Sequence, residues 1–161
     1  MGTVDVYRIT NQLDDATLDV LLTRLEARGK HPRFADMLRE YLDAMAIDSA
    51  RSVLDLGCGT GVAARAIACR PSFSGRITGI DRSPHLIGAA ARLAHEEGLA
   101  AKVDFRIGDS HTLELRTLNS MQSSRTPYLA TSTIHVPSSR RLFECSIRVE
   151  RWGSSTVTTR L

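Results

Sequence analysis

This sequence of 161 residues has little of what disulfide frameworks, metal centres and membrane spans require. Its three cysteines, Cys58, Cys69 and Cys145, lie far apart without metal-ligand spacing, which argues against zinc or disulfide scaffolds and favours a reducing compartment. No apolar run approaches the ~20 residues of a transmembrane helix. The N-terminus shows no apolar signal core. These absences predict a cytoplasmic protein with no membrane association and no metal.

The first 115 residues carry no net positive charge. Residues 1–115 carry 14 Lys and Arg against 16 Asp and Glu, whereas residues 116–161 carry 7 Arg against 2 Glu. The tail therefore accounts for the whole net charge of +3. One hypothesis is a basic nucleic-acid-binding module in which Tyr128, Phe143 and Trp152 stack on bases. The arginines of the tail are scattered, so nucleic acid is the weaker interpretation.

Hydrophobic periodicity predicts helices alternating with strands from residue 13 to residue 109. Asp14 or Asp15 can cap the first helix, and Gly29 can end it. Helices are predicted over residues 13–28, from Pro32 to about residue 45, over 62–68 and over 84–97, and strands over 52–56, 76–80 and 102–107. Such alternation is typical of right-handed βαβ units and a parallel sheet, which makes the fold class α/β.

A glycine-rich turn follows the first strand, in the order Asp55, Gly57, Cys58, Gly59, Thr60, Gly61. Glycines let the backbone approach a ligand closely, and the next helix directs free N–H groups at that ligand. The dinucleotide pattern fails because Val62 stands at its third glycine, which disfavours a nicotinamide dehydrogenase, and the P-loop pattern fails as well. Asp55 repels a pyrophosphate and favours a cationic ligand.

The stretch VLDLGCGTG at 53–61 resembles the first motif of class I S-adenosylmethionine-dependent methyltransferases. Two later pieces agree with it, GIDRS around Asp81 and RIGDSH around Asp109, each at the end of a predicted strand. Ligands of such sheets bind outside the carboxyl ends of the strands. The resemblance covers about residues 48–115 and implies a Rossmann-like fold with S-adenosylmethionine as cofactor.

The same resemblance implies a role for individual residues. Asp55 faces the methionine end of the cofactor, Asp81 binds both ribose hydroxyls, and Asp109 faces the adenine amino group. Arg82 stacks on the adenine edge or is simply solvated. The remaining cofactor-binding candidates shape or line the pocket, and they are Gly57, Cys58, Gly59, Thr60, Gly61 and, more weakly, Ser110. Asp55 and Asp81 could instead be structural caps.

No catalytic set can be assigned from the sequence. Alignment supplies most of the catalysis of methyl transfer, and a base is needed only if the acceptor must lose a proton. His85, His95 and His111 are available, the first two as expected surface residues of a helix. Tyr7 and Tyr41 are weak candidates for a substrate lid. The lack of an added nucleic-acid domain favours a small-molecule acceptor.

The tail lacks the apolar fourth strand and the Pro-Gly-Gly turn that this family shows. Its β-prone stretches are short, at 128–136, 147–152 and 156–159. A change of reading frame near Leu115 would explain both absences, because plausible codons for 119–131 and 141–160, read from the third base, can encode those two features. In the shifted frame some residues depend little on codon choice. For example, a codon that begins at the third base of the Trp152 codon and continues into the Gly153 codon encodes glycine.

The change in composition near Leu115 leads to a prediction of three segments. Residues 1–47 form an N-terminal helical cap, 48–115 the cofactor-binding half, and 116–161 an atypical, poorly ordered tail. A missing fourth strand would leave one edge of the first strand without a hydrogen-bonded neighbour. It would also leave few residues to line the substrate side of the pocket. We therefore expect weak cofactor binding and little turnover, and a non-catalytic cofactor-binding remnant stays an alternative.

Overall fold

The computed structural model describes residues 10–109 and three strand segments of the tail, 128–133, 146–151 and 157–158. The helices are α1 (Asp15–Lys30), α2 (Pro32–Ala44), α3 (Val62–Ala68) and α4 (Pro84–Glu96), with a short 3-10 helix at Ile47–Ser49. The strands are β1 (Ser52–Leu56), β2 (Arg76–Asp81), β3 (Val103–Ile107), β4 (Tyr128–Thr133), β5 (Ser146–Arg151) and β6 (Val157–Thr158). Every helix and strand predicted before residue 109 is confirmed, with small shifts at the ends.

All six strands form one sheet in the order β3-β2-β1-β4-β5-β6. The pairs β1–β2, β2–β3 and β1–β4 are parallel, and β4–β5 and β5–β6 are antiparallel. The parallel pairing brings the carboxyl ends of β1, β2 and β3 to one edge of the sheet, which is where ligands of doubly wound folds bind. The predicted α/β Rossmann-like fold is confirmed.

The start of α1 follows directly from its sequence. Asp14 is the N-cap, and its side chain accepts a 2.9 Å hydrogen bond from the backbone N–H of Thr17. The helix continues past Gly29, where it was expected to stop, and ends at Lys30. A Cβ at position 29 would lie 2.7 Å from Cγ1 of Val62. Glycine at that position therefore allows the end of α1 to lie against the start of α3.

Two apolar clusters hold the helices on the sheet. The larger one joins α2, α3 and strands β1 to β3, and its most deeply buried large members are Phe73, Ile47, Ile67, Ile77 and Val53. The smaller one packs α1 against the start of α4 through Leu18, Leu21, Leu25 and Leu86. Burial of one such leucine contributes about 1.5–3 kcal/mol, so the smaller cluster is enough to fix α1 over the first turn of α4.

Two arginines of the α3 region connect it to the preceding helices. Arg65 is buried, and its guanidinium binds both carboxylate oxygens of Glu26 on α1 at 2.7 and 2.8 Å and also pairs with Glu97 after α4. Arg70 pairs with Asp48 at 2.6 Å and with Asp43 at 2.5 Å. The pair of Arg70 and Asp48 is bidentate, with Nε on Oδ1 at 2.6 Å and Nη2 on Oδ2 at 2.8 Å, which fixes orientation as well as distance. The arginines therefore tie the N-terminal helices to the cofactor-binding half.

The expectation that β1 has an open edge is wrong. β4 pairs in parallel with β1, with Val53 opposite Tyr128 and Leu56 opposite Thr131. β4 and β6 lie within β-prone stretches of the tail, and β5 begins one residue before its stretch, so these residues form strands even without a clear apolar alternation. A strand that is hydrogen-bonded on both sides depends less on its own periodicity, because its neighbours satisfy its backbone.

No helix in the part of the chain that the structure describes is long and apolar enough to span a membrane. The proposed division at residues 47 and 115 stays a prediction. The strands β4, β5 and β6, which lie beyond residue 115, belong to the same sheet as β1.

Candidate functional site

The glycine-rich turn forms a compact loop between β1 and α3. Gly57, Gly59 and Gly61 have φ values of 71°, 54° and 75°, in the left-handed region that side chains with a Cβ rarely adopt. The backbone N–H groups of Gly57 and Cys58 both donate to the carbonyl oxygen of Ile80, at 2.8 and 3.1 Å. The loop, which we call the glycine loop (57–61), is thus tied to the end of β2.

α1 covers one side of the glycine loop. A Cβ at Gly59 would lie 3.2 Å from Cδ1 of Leu25, and Gly59 itself is buried. The close approach of α1 therefore depends on the absence of a side chain at this position as well as on its left-handed backbone. The sequence predicted a glycine-rich turn that a ligand can approach closely, but it did not predict that α1 packs on this turn.

Asp81 stands at the carboxyl end of β2 and binds two backbone N–H groups. Its Oδ2 accepts from Gly59 at 2.9 Å, and its Oδ1 accepts from Ser83 at 2.9 Å. Ser83 in turn caps α4, with its Oγ accepting from the N–H of Leu86. The carboxylate is therefore held between the glycine loop and the start of α4, with each oxygen oriented by one hydrogen bond.

Asp55 and Cys58 bring negative charge and a thiol to the buried side of the loop. Asp55 is 2% exposed and Cys58 is 8% exposed. Burial raises the pKa of the Cys58 thiol far above its ordinary range, and the carboxylates of Asp55 and Asp81 raise it further. The thiol therefore stays protonated, which suits a packed position in the loop.

Thr60 of the glycine loop is buried, with 1% exposure. Its Oγ1 has no hydrogen-bond partner among the residues that the structure describes. A buried hydroxyl without a partner is costly, and such groups are often satisfied by a ligand or a water molecule. The Thr60 hydroxyl can therefore form a hydrogen bond with a bound molecule.

Arg82 and Asp109 form an ion pair across the ends of β2 and β3. Arg82 Nε lies 3.4 Å from Asp109 Oδ2, and both side chains are about one-third exposed, at 37% and 30%. The backbone N–H of Gly108 donates to the carbonyl of Asp81 at 2.9 Å and keeps the two strand ends together. The two predicted adenine-contacting residues thus contact each other, a relation that the sequence analysis did not include.

The other predicted residues do not join this cluster. His85 binds Asp19 of α1 through Nε2 at 2.8 Å and is partly buried, whereas His95 is exposed as expected. Tyr41 lies on α2. Ser110, His111 and Tyr7 lie outside the described residues.

A cleft between the helices lies away from this cluster. It has a volume of about 660 Å³ and runs between the helical pair α1–α2 and helix α3. None of the predicted cofactor residues lines it. Within the described residues, no group of three or more His, Cys, Asp and Glu side chains could hold a metal ion. The chemistry-bearing side chains are instead gathered at the carboxyl edge of the sheet.

A family model described as a methyltransferase domain matches residues 47–132, more than half of the chain. The chain belongs to the methyltransferase domain family. The cofactor of this family is S-adenosylmethionine, as the sequence resemblance implied. The match of this methyltransferase domain continues beyond residue 115 and through most of β4, further than the resemblance in the sequence reached.

Curated relatives match parts of the methyltransferase domain. It is 39% identical over 79 residues to a trans-aconitate 2-methyltransferase of Streptomyces avermitilis, a match that covers 49% of this chain and 28% of the relative. It is 34% identical over 131 residues to a release factor glutamine methyltransferase of Xylella fastidiosa, covering 80% of this chain and 46% of the relative. The chain thus spans less than half the length of these relatives.

A solved structure shares the fold. A SAM-dependent methyltransferase from Aquifex aeolicus superposes with a TM-score of 0.52 at 14% identity, over 81% of this chain and 79% of that one. This similarity shows that the methyltransferase domain has the fold of that enzyme.

Proposed function

We propose that this methyltransferase domain binds S-adenosylmethionine at the carboxyl edge of β1, β2 and β3 and transfers its methyl group to a small-molecule acceptor. The hydrogen bond between the N–H of Gly59 and Asp81 carries the proposal. It holds the glycine loop, which would receive the methionine part, next to the carboxylate that would receive the ribose. Neither element could form a nucleoside site alone.

The cofactor fits the residues that are present. A carboxylate has about four acceptor positions, and each oxygen of Asp81 uses one for a backbone N–H, so the carboxylate can still accept two ribose hydroxyls. The buried Thr60 hydroxyl offers a further polar group within the loop. The glycine backbone leaves no Cβ in the way of a ligand.

The charges of the site favour a cationic ligand. S-adenosylmethionine supplies a methyl group on a positively charged sulfonium, an already activated leaving group. Asp55 and Asp81 both lie close enough to Cys58 to raise its pKa, which places two carboxylates around the loop. In our proposal Asp55 attracts the ammonium end, Asp81 binds the ribose, and the loop residues Gly57, Cys58, Gly59, Thr60 and Gly61 line the methionine part.

The adenine end is assigned to Arg82, Asp109 and Ser110. Asp109 would accept a hydrogen bond from the adenine amino group, and the guanidinium of Arg82, which pairs with Asp109, would lie beside the ring. A planar guanidinium stacks well on flat rings. Ser110 lies outside the described residues and enters as the neighbour of Asp109 in the sequence.

The protein contributes mainly alignment to the reaction. The acceptor must approach in line with the bond from sulfur to methyl, and holding both partners can supply roughly 7–11 kcal/mol of the barrier. No described side chain is assigned as a base. The relatives support a small acceptor in part, because one of them is named for trans-aconitate, whereas another is named for release factor glutamine.

Low turnover is part of the proposal. The sequence lacks the Pro-Gly-Gly turn expected in the tail, and the hypothesis of a shifted reading frame remains its explanation. The pairing of β4 with β1 removes one reason for expecting low activity. The residues that would contact the methyl acceptor stay unassigned. Sequencing of the gene through codons 115–120 tests the hypothesis, and an intact frame with no alternative reading would reject it.

Calorimetric titration with S-adenosylhomocysteine tests the site directly. We expect saturable binding with one site per chain, and loss of this binding in Asp81→Ala. A screen of small-molecule acceptors with labelled S-adenosylmethionine then separates an enzyme from a binding remnant. Absence of binding by the intact chain would reject both, and salt-sensitive binding to phosphate polymers would favour the nucleic-acid alternative instead.

A further inference from the structure

The ring of Phe105, in the middle of β3, fills the space that two glycines leave open. A Cβ at Gly61 would lie 2.5 Å from Phe105 Cζ and 2.7 Å from Cε1. A Cβ at Gly79 would lie 2.6 Å from Cδ1 and 2.7 Å from Cε1 of the same ring. Such distances are shorter than any real contact of a Cβ, so the ring lies directly against both backbones.

These two glycines belong to different parts of the domain. Gly79 is the central part of β2, directly beside Phe105 in the sheet. Gly61 is the last residue of the glycine loop, and its carbonyl accepts the N–H of Arg65 at 2.8 Å in the first turn of α3. The ring of Phe105 therefore lies between Gly79 of β2 and Gly61 of the loop, and its size sets the distance between these two backbones.

The loop is held from the other side as well. Its N–H groups at Gly57, Cys58 and Gly59 bind Ile80 and Asp81 of β2. These hydrogen bonds fix the start of the loop on β2. At the end of the loop, the described contact between Gly61 and a strand is the one with the ring of Phe105. Removal of the ring would leave an unfilled space under the end of the loop, since packed interiors collapse only partially into such a space.

We propose that Phe105 is a positioning residue that holds the glycine loop in the conformation that receives the cofactor. This inference rests on the proposed cofactor role of the loop. The ring of Phe105 lies against the loop at Gly61, so in this proposal it acts through Gly61. It also explains why position 61 is glycine in physical terms: a Cβ there would require both a strained φ of 75° and displacement of the ring.

The atoms in contact define a selective variant. Gly61 meets the outer ring atoms Cζ and Cε1, whereas Gly79 meets Cδ1 and Cε1. A leucine side chain ends at Cδ, so Phe105→Leu keeps an apolar group near Gly79 but cannot reach Gly61. Phe105→Met is the conservative partner, because its unbranched chain extends as far as the ring and adapts to irregular space.

Phe73→Leu is the matched control. Phe73 is 1% exposed in the main core and lies before β2, at the opposite end of that strand from the glycine loop. The same chemical change there lowers stability without any contact with the loop. A stability loss alone can therefore be separated from a change at the loop.

The experiment measures S-adenosylhomocysteine affinity by calorimetry, backbone amide exchange of residues 57–61 by mass spectrometry, and thermal unfolding, in the full chain. We expect Phe105→Leu to weaken binding about tenfold, the size of a typical contact coupling, and to accelerate amide exchange in the loop. Phe105→Met should restore most of the affinity, and Phe73→Leu should reduce stability while it leaves affinity and loop exchange unchanged.

Two results would overturn the proposal. One is parental affinity and parental loop exchange in Phe105→Leu, and the other is an equal weakening of affinity in Phe73→Leu. If the unmodified chain binds no S-adenosylhomocysteine, the proposed function fails, and amide exchange at 57–61 in Phe105→Leu still decides whether the ring holds the loop.

Discussion

The backbone N–H of Gly59 donates a 2.9 Å hydrogen bond to Oδ2 of Asp81, 22 residues further along the chain. The bond links the loop after β1 to the end of β2, and the second oxygen of the same carboxylate binds the N–H of Ser83. One side chain thus orients the loop and presents its remaining acceptor positions to a ligand. The position of this carboxylate is the basis of the first prediction.

Asp81→Asn should weaken S-adenosylhomocysteine binding by at least about tenfold, or 1.4 kcal/mol. An amide has only one acceptor oxygen, so one of the two backbone N–H groups must face an NH₂ group, and unfolding stability should fall by about 1–3 kcal/mol. Calorimetry and urea unfolding measure the two effects. The control is Asp104→Asn, an exposed acid of β3 paired with Arg106; equal losses of affinity in both variants would contradict the assignment.

Cys58 should resist alkylation in the folded protein. Burial and the nearby carboxylates raise the pKa of its thiol, and only the thiolate reacts, so iodoacetamide at pH 8 should label Cys58 more than about tenfold more slowly than the exposed Cys69. Peptide mapping by mass spectrometry distinguishes the two sites. Comparable rates in native protein would show that the loop opens readily.

The same thiol makes a prediction about stability at high pH. The pKa of Cys58 is raised in the folded state, so its contribution is present below the pKa of about 8.5 of an unfolded thiol and is lost as the pH rises further. Unfolding in urea between pH 7 and pH 10 should show a decline that Cys58→Ala reduces. A decline of the same size in Cys58→Ala would assign the effect to other groups.

The sequence was sufficient for the helices and strands before residue 109. Asp14, Ser83 and the strand-terminal Asp81 act through local rules, because caps and strand ends depend on residues close in sequence. The alternation of elements predicted the parallel order of β1 and β2, which brings Asp81 next to the glycine loop, but the hydrogen bond between Gly59 and Asp81 was not predicted.

Relations between distant side chains were less accessible. Arg82 and Asp109 pair only because β2 and β3 are neighbours and their ends are held together by Gly108, so the sequence could suggest the residues but not their contact. The partner of β1 was missed because β4 lacks a clear period, and its pairing comes from the sheet rather than from local propensity. The Arg82–Asp109 pair and the β1–β4 pairing both depend on how distant parts of the chain pack together.

The pairing of Arg70 with Asp48 predicts a specific acid sensitivity. The hydrogen bonds from Arg70 lower the pKa of Asp48 below its ordinary value of 3.8. An acid with a lowered pKa stabilises the folded state above the unfolded pKa, and this contribution is lost as the pH falls below about 4. Asp48→Asn and Arg70→Gln should both reduce the slope of stability against pH in that range, measured by urea unfolding from pH 6 to pH 3. Retention of the full slope in Arg70→Gln would contradict the pairing.

Arg65 joins three helices in a buried ionic cluster, with a side-chain exposure of 9% against 13% for Glu26. Arg65→Leu should cost about 3–5 kcal/mol of unfolding free energy, because it leaves the carboxylate of Glu26 buried without its partner. The double variant Arg65→Leu with Glu26→Leu should recover much of that loss, since it removes both charges. The control is Arg92→Leu, whose pair with Glu96 on α4 is exposed at 57% and 54% and should contribute less than about 1 kcal/mol. Urea unfolding of the four proteins measures these differences, and equal losses from Arg65→Leu and Arg92→Leu would show that the cluster does not hold α1 on the domain.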